Sequence, residues 1–371
     1  MPRPTYARID LAALRHNLAA VRRRLAPGVR VLGVVKADGY GHGAVEASRT
    51  LADAGIDMLG VAIVEEGVAL RVAGIRTPVL VMGLAPQDEI AAALAYDLTL
   101  TVDGPGTAHP IEDLAAAKGA RAAVHLKIDT GMNRLGVRAE AAAEAADAVA
   151  ACPHLTLEGA YTHMACADGA DDAVSAGQLA AFGEALGALD AAGIRPGLVH
   201  AANSAALLTC PAAHFTMVRA GLALYGVPPS EAARAEASLQ PVMSLTSRVA
   251  AIKRVRPGEG VSYGHRWRAE RDTRLGVLPV GYADGYPRAL SNRAHVRAAG
   301  RLAPVVGSVC MDLTMVDLTD VPQAAPGLEV TLLETDEASP LSAAALAEAA
   351  GTIPYEILTG IGKRVPRLYR G

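Results

Sequence analysis

The sequence predicts two parts: a (β/α)8 barrel of the TIM type over residues 8–231, then a mainly β domain over 232–371. Residues 1–7 are expected to pack with the second part. Three observations lead there. The chain has 371 residues, 51% of them hydrophobic, which is long enough for two cores. Short apolar runs alternate with alanine-rich helical patterns through the first 230 residues. After about Pro229 that alternation stops and turn-punctuated strand patterns take over.

Eight apolar runs occupy about 30–36, 58–63, 78–82, 98–102, 123–129, 157–163, 198–201 and 215–219. They are continuously apolar rather than alternating, as expected for parallel strands covered on both faces. Helical patterns fall between them, among them 65–73, 87–95, 139–151 and a long one at about 172–192. Eight strand–helix repeats fit a closed barrel; a doubly wound open sheet is the rival that strand count alone leaves open. A polar connector at 230–238 leads into strand patterns at 243–255, 274–281, 303–318 and 328–333. Pro257-Gly258, Pro287 and Pro326-Gly327 punctuate them, and 341–350 reads as a helix.

Composition narrows the function. A formal net charge of −3 carries no basic footprint for nucleic acid. No run of 18 apolar residues is present for a membrane span, and the first ten residues have no signal-peptide core. Cys152, Cys166, Cys210 and Cys310 form no CxxC pair, so neither a disulfide framework nor a zinc site is expected, and no metal. A reducing cytoplasm is the expected location.

The first run ends Val34-Val35-Lys36-Ala37-Asp38-Gly39-Tyr40-Gly41-His42-Gly43. A lysine at the carboxyl end of a barrel strand stands at the mouth, where barrel enzymes keep their chemistry. Apolar neighbours favour the neutral amine that a Schiff base requires. Taken alone, a lysine snorkelling from a strand end fits as well. Tyr263 on a glycine turn also fits a merely wetted aromatic, and Arg219 at the end of the eighth run fits a salt bridge across the mouth. Ser204 fits a helix N-cap.

Together with later segments, the Lys36 motif resembles the alanine racemase family. The matching segments are Val124-His125-Leu126-Lys127-Ile128-Asp129-Thr130-Gly131-Met132-Asn133-Arg134, Tyr161-Thr162-His163-Met164-Ala165, His200-Ala201-Ala202-Asn203-Ser204 and Val218-Arg219-Ala220-Gly221-Leu222. In the second half they are Gly260-Val261-Ser262-Tyr263-Gly264, Gly281-Tyr282-Ala283-Asp284-Gly285-Tyr286-Pro287-Arg288, Cys310-Met311-Asp312, Tyr355-Glu356 and Arg364-Val365-Pro366-Arg367. The likeness spans nearly the whole chain, and all motifs occur in one order.

The resemblance implies pyridoxal 5'-phosphate (PLP) joined to Lys36, and racemisation of alanine by two bases on opposite faces. Lys36 would serve the D-face and Tyr263 the L-face, with Arg134 and His163 tuning the tyrosine. Arg219 would face the pyridine nitrogen; because arginine keeps its proton, the ring would be a weaker electron sink and transamination would be suppressed. Tyr40, Asn203, Ser204, Gly221, Leu222 and Tyr355 would hold the cofactor. Lys127 would carry a carbamate that orients Arg134, the other reading being a pair with Asp129 or a neighbouring carboxylate. Arg134, Met311 and Asp312 would meet substrate, and Tyr282 and Arg288 would line the entry. The family pattern also implies a homodimer with shared sites, Tyr263, Met311 and Asp312 coming from the partner, and a role in supplying D-alanine for peptidoglycan. His42 and His125 read as structural.

Three positions depart from the family pattern. Ser308 stands where many members have arginine, Asn133 replaces a common glycine and Met164 a common phenylalanine. These put substrate breadth in question. A racemase acting also on serine is the near alternative, since an apolar pocket rejects one extra hydroxyl poorly. A non-catalytic PLP-binding barrel would lack the second half, and a PLP decarboxylase on a related plan would show cysteine-bearing motifs that are absent here.

Overall fold

The structure, a computed structural model, describes residues 3–169 and 172–371; residues 1–2 of the expected 1–7 segment lie outside the described residues. Strand β1 (Tyr6–Asp10) comes first, and Asp10 caps the helix Leu11–Arg23 by accepting the Ala13 N–H at 2.9 Å. The chain then alternates strands and helices through β2 (Arg30–Val34), β3 (Met58–Val61), β4 (Val79–Leu84), β5 (Thr99–Val102), β6 (Ala122–Asp129), the short β7 (Val137–Arg138), β8 (Leu155–Tyr161), β9 (Leu198–His200) and β10 (Met217–Ala220).

The large strands pair in parallel in the order β10-β2-β3-β4-β5-β6-β8-β9, with β7 paired to β6 alongside. The remaining seam, β9 against β10, is bridged by Thr216 N–H to Val199 O (3.1 Å) and Arg219 N–H to Ala202 O (3.0 Å). The eight strands therefore form a nearly closed barrel, and the open-sheet rival falls. The continuous apolar runs explain it: Leu32, Leu59, Leu80, Leu100 and Leu126 have no exposed surface, because neighbouring side chains cover them inside the barrel and helices such as Pro105–Lys118 cover the outside.

The second half holds β11 (Met243–Arg248), β12 (Ala251–Val255), β13 (Gly260–Val261), β14 (Trp267–Arg268), β15 (Thr273–Leu278), β16 (His295–Ala298), β17 (Arg301–Pro304), β18 (Thr314–Asp317), β19 (Glu329–Leu333) and β20 (Arg367–Arg370). A six-stranded sheet runs β17-β16-β19-β11-β1-β20, beside a three-stranded sheet β12-β15-β18 and the pair β13-β14. Strand β1 thus lies between β11 and β20, straddling residue 8.

Two expected strands are each two. Residues 243–255 divide where the chain changes sheets: Val249 N–H donates to Leu328 O, while the next residue, Ala250, donates to Val277 O. Residues 303–318 divide around a loop at 305–313 that carries Cys310, Met311 and Asp312. The helix expected at 341–350 is Ala343–Ala350, capped by Ser342 and closed by Gly351 at φ 73°. A second helix, Pro354–Gly360, packs on the turn after β2 so closely that a Cβ on Gly41 would lie 2.2 Å from Leu358 O. This contact brings Tyr355 to the barrel mouth.

Candidate active site

Lys36 does not lie on the first barrel strand, as the run 30–36 predicts. Strand β2 ends at Val34, and Lys36–Tyr40 winds as a left-handed turn, with φ of 52° at Ala37, 53° at Asp38, 62° at Gly39 and 52° at Tyr40. Left-handed backbone costs about 1–2 kcal/mol for each non-glycine residue, so the turn needs external support. Glu66 Oε1 accepts the Ala37 N–H (2.6 Å) and Asp38 Oδ1 accepts the Ala44 N–H (2.9 Å). His42 Nδ1 lies 3.0 Å from Gly39 O and 2.9 Å from Tyr40 O, and its ring stacks on Tyr225. His42 therefore serves the turn's geometry.

The turn aims Lys36 into a cluster of cations. Burial, then the charges of Arg134 and Arg219, push the Lys36 amine below its ordinary range, only partly offset by Glu66. Lys127, on β6, is 5% exposed, with Nζ 4.3 Å from the Tyr161 ring centroid. Burial, Arg219 and Arg134 bring its amine down to about 7. Among the described residues no carboxylate pairs with it. Asp129, the alternative partner, instead accepts the N–H groups of Gly131 (2.9 Å) and Asn133 (3.0 Å). Asn133 sits at φ 53°, which explains why glycine is common there and why asparagine is tolerated. Arg134 follows on this exposed loop.

Arg219 is 3% exposed. Its terminal nitrogens meet His200 Nδ1 (3.0 Å), His200 O (3.0 Å), Thr162 O (2.8 Å), Ala201 O (2.8 Å) and His163 Nδ1 (3.0 Å). Among the described residues no hydrogen bond goes to its Nε. Guanidinium only donates, so His163 Nδ1 must accept, and the proton of that imidazole resides on Nε2. Burial, followed by Arg219, Lys127, Arg134 and Lys36, drives His163 down to about 2, so the ring is neutral.

Beside this cluster lies a cradle of donors. Ser204 Oγ lies 2.9 Å from Gly221 N and 3.2 Å from Ala223 N. Asn203, not Ser204, caps the following helix, its Oδ1 accepting the Ala206 N–H at 3.0 Å. The Tyr40 hydroxyl stands over Gly221, where a Cβ would meet it at 2.7 Å. Leu222 opens the next 3-10 turn, and the Tyr355 ring lies 5.9 Å from that of Tyr40. Two phenols, a serine and the backbone after β10 thus converge, a donor set suited to phosphate.

Tyr263, Met311 and Asp312 stand apart. Tyr263 is 74% exposed and Met311 53%. No interaction joins Tyr263 to Lys36, His163 or Arg219 among the described residues. It borders an open groove of about 1100 Å³ with Ser262, Gly264, Cys310 and Leu313. Its backbone is nevertheless fixed. Ser262, at φ 61°, donates through Oγ to Ser308 O (2.7 Å), and Ser308 Oγ donates to Tyr263 O (3.0 Å). The Met311 loop is pinned by Tyr282 N–H to Cys310 O and Ala283 N–H to Met311 O, both 3.0 Å, and Asp312 pairs with Arg364 at 2.7 Å. Tyr282 and Arg288 are exposed nearby. The role of Ser308 went unread, because the sequence signals only that an arginine is absent; His200, inside a matched motif, likewise showed no role of its own.

Barrel, appended β domain and a lowered amine amid cations at the mouth define a barrel enzyme with a reactive lysine. Comparison with known proteins specifies it. The family model for the alanine racemase N-terminal domain matches residues 9–229, and that for the alanine racemase C-terminal domain matches 242–369. The chain is 45% identical to an alanine racemase of Desulfovibrio desulfuricans over 367 residues, 99% of this chain and 98% of that one. The solved alanine racemase of Clostridium difficile superposes with a TM-score of 0.95 at 36% identity, covering 100% of this chain and 96% of that one. The one from Streptomyces coelicolor gives 0.91 at 40%, covering 99% and 98%. The chain belongs to the alanine racemase family, and it is an isomerase.

Proposed function

We propose that this chain interconverts L- and D-alanine, with pyridoxal 5'-phosphate held at the barrel mouth. The observation that carries the reading is the juxtaposition of a lowered Lys36 amine, a neutral His163 and a buried Arg219 with a cradle of phosphate donors. The relatives' name supplies the substrate.

The residues fit the cofactor. Tyr40, Ser204, Tyr355 and the backbone N–H groups of Gly221 and Leu222 would hold its phosphate, with Asn203 setting the helix that carries Ser204. Arg219 would meet its ring nitrogen through Nε, the one of its nitrogens without a partner among the described residues. When bound, PLP withdraws electrons from the substrate's α-carbon and makes its proton acidic.

The chain's own groups then move two protons. On the D-face the Lys36 amine, when neutral, takes the α-proton; on the opposite face Tyr263 of the partner subunit returns one. One C–H bond breaks and one forms, with no net redox change. His163, its Nδ1 occupied by Arg219, has only the Nε2–H to offer a phenolate. His163 and Arg134 would thus face the partner's phenol with a hydrogen-bond donor and a positive charge. Arg219 keeps its proton, which limits electron flow into the ring and guards against transamination.

Three further readings belong to this proposal. Lys127 forms a carbamate: the neutral amine adds to carbon dioxide, an N–C bond forms, and a proton leaves to solvent. The exposure of Tyr263, Met311 and Leu313 supports a homodimer in which the site of one protomer meets the second half of another; Arg134, Met311 and Asp312 would then face substrate. The chain divides into 8–231 and 232–371, apart from residues 8–10 of β1, which join the second part's sheet, and it works in the cytoplasm supplying D-alanine for peptidoglycan. Among the described residues no helix is long and apolar enough to cross a membrane.

The test is incubation of the PLP-loaded protein with L-alanine in heavy water. D-alanine carrying deuterium at the α-carbon is expected. Absence of both D-alanine and α-deuterium would overturn the reading.

A further inference from the structure

We infer that Glu158, His125 and His200 form a positioning relay behind Arg219, fixing which of its nitrogens faces the barrel mouth. The row begins at the guanidinium. Arg219 Nη1 lies 3.0 Å from His200 Nδ1, and arginine has no lone pair to accept with, so Nδ1 accepts and the His200 proton sits on Nε2. His200 Nε2 lies 2.9 Å from His125 Nδ1. That contact needs one donor, and His200 Nε2–H supplies it, so the His125 proton also sits on Nε2. His125 Nε2 in turn lies 3.4 Å from Glu158 Oε2, an acceptor when ionised. Every bond in the row therefore has a direction: arginine to His200, His200 to His125, His125 to glutamate.

The surroundings are arranged for this row. Both imidazoles are fully buried, whereas the Glu158 side chain is 38% exposed, so the row runs from the active-site arginine to solvent. The β6–β8 register shifts between Val124 and His125, which turns the histidine toward β9. Gly159 makes room: a Cβ there would lie 2.6 Å from His125 Nδ1 and 2.8 Å from Leu198 O. Tyr161 stacks on His200 at 4.7 Å with the rings only 2° from parallel, leaving the imidazole no other plane.

The consequence lies at the other end. With the acceptor of His200 directed at Nη1, and that of His163 at Nη2, both terminal nitrogens are committed and only Nε is offered outward. Were Glu158 unable to accept, His125 could carry its proton on Nδ1. It would then oppose the His200 Nε2–H, and a His200 that shifted its proton to Nδ1 would oppose Arg219. A buried donor facing a donor is left unsatisfied and is unfavourable, and the guanidinium would turn to escape it. Glu158 thus acts through two rings on a group that it never touches. This role for Nε rests on the cofactor reading above; the tautomers do not.

The experiment uses full-length protein with histidine labelled by nitrogen-15, with and without PLP, and compares wild type, Glu158→Gln and Glu158→Leu. Long-range proton–nitrogen spectra, assigned with single-histidine variants, are expected to show Nε2–H at both His125 and His200 in wild type. Glutamine keeps an acceptor in Oε1, so Glu158→Gln should preserve both tautomers and hold kcat within about twofold. Leucine removes the acceptor: the tautomers should become mixed, and kcat should fall about fivefold or more at unchanged KM. An Nδ1–H tautomer at either histidine in wild type overturns the inference. So does a Glu158→Leu protein that matches Glu158→Gln in tautomers or in kcat. Because the spectra need neither cofactor nor turnover, they decide the relay even for a protein that fails to racemise alanine.

Discussion

The barrel mouth and the Tyr263 loop offer opposite kinds of order. At the mouth, Lys127, His163 and Arg219 are held in place by burial and by side-chain bonds; Arg219 alone makes five. In the second half Tyr263 has a free side chain, 74% exposed, on a backbone clasped by Ser262 and Ser308. One region has its partners within the chain, and the other presents a rigid backbone and an unengaged phenol. A side chain restrained so carefully at its root and left bare at its tip is free to meet something outside its own chain, and in the proposed homodimer that is the mouth of a second copy.

The largest expected effect tests this division of labour. Lys36→Ala should lower kcat by about 10⁴-fold and abolish the label that borohydride otherwise fixes on the Lys36 peptide. Tyr263→Phe should cost about 10²-fold or more in the racemisation of either enantiomer, because the equilibrium constant of one obliges both directions to slow together. Mixing the two inactive proteins under conditions that exchange protomers is the sharper measurement. If sites are shared, half of the dimers are mixed, and each has one barrel with Lys36 facing a partner with Tyr263. About a quarter of wild-type activity should then return. If Lys36 and Tyr263 of the same chain worked together, no mixture would recover, and the contrast drawn above would break.

The two regions also differ in how much of them could be read from sequence. The barrel strands were legible because burial on both faces writes itself locally as continuous apolar runs. The left-handed turn was not, since three of its four residues with positive φ are not glycine; Glu66 holds it from a distant part of the chain, and Asp38 ties it forward to Ala44. The break between β11 and β12 was hidden because strand character continues through Val249 and Ala250 while the pairing partner changes. The row His200, His125 and Glu158 joins residues 75 and 33 positions apart, each inside an apolar strand and unremarkable there. The phosphate cradle and the two bases were placed by whole-motif resemblance, because no local spacing links Lys36 to Tyr263.

Lys127 tests the cost of the mouth's crowded charge. Its amine titrates near 7 in the folded chain, against an ordinary value of 10.5. Between those values the unfolded chain binds the extra proton and the folded chain does not, so stability should rise with pH across that window and be lost as pH falls through 7. In bicarbonate-free buffer, wild type should gain on the order of a few kcal/mol of unfolding free energy between pH 7 and 10. Lys127→Met should lack most of that slope in parallel urea titrations. Equal slopes would mean that the mouth does not strain this amine. Adding carbon-13 bicarbonate to wild type should produce a carbamate carbon signal, absent from Lys127→Met.

The smallest effect bears on the other region. Ser308 Oγ donates to the carbonyl of Tyr263, and the Ser262 hydroxyl donates to the carbonyl of Ser308, so the two serines cross-link the loop that carries the phenol. Ser262 also sits at φ 61°, a conformation that the clasp helps to hold. Removing one neutral hydrogen bond costs about 1 kcal/mol. If that energy is lost from the placement of the tyrosine, Ser308→Ala should lower kcat by about fivefold while leaving KM for alanine nearly unchanged. Ser308→Thr, which keeps the hydroxyl, should restore most of it. Rescue separates placement from a general loosening: a Ser308→Thr protein that stays as slow as Ser308→Ala would mean that the hydroxyl clasp does not place the tyrosine, and the second region would then owe its order to the fold alone.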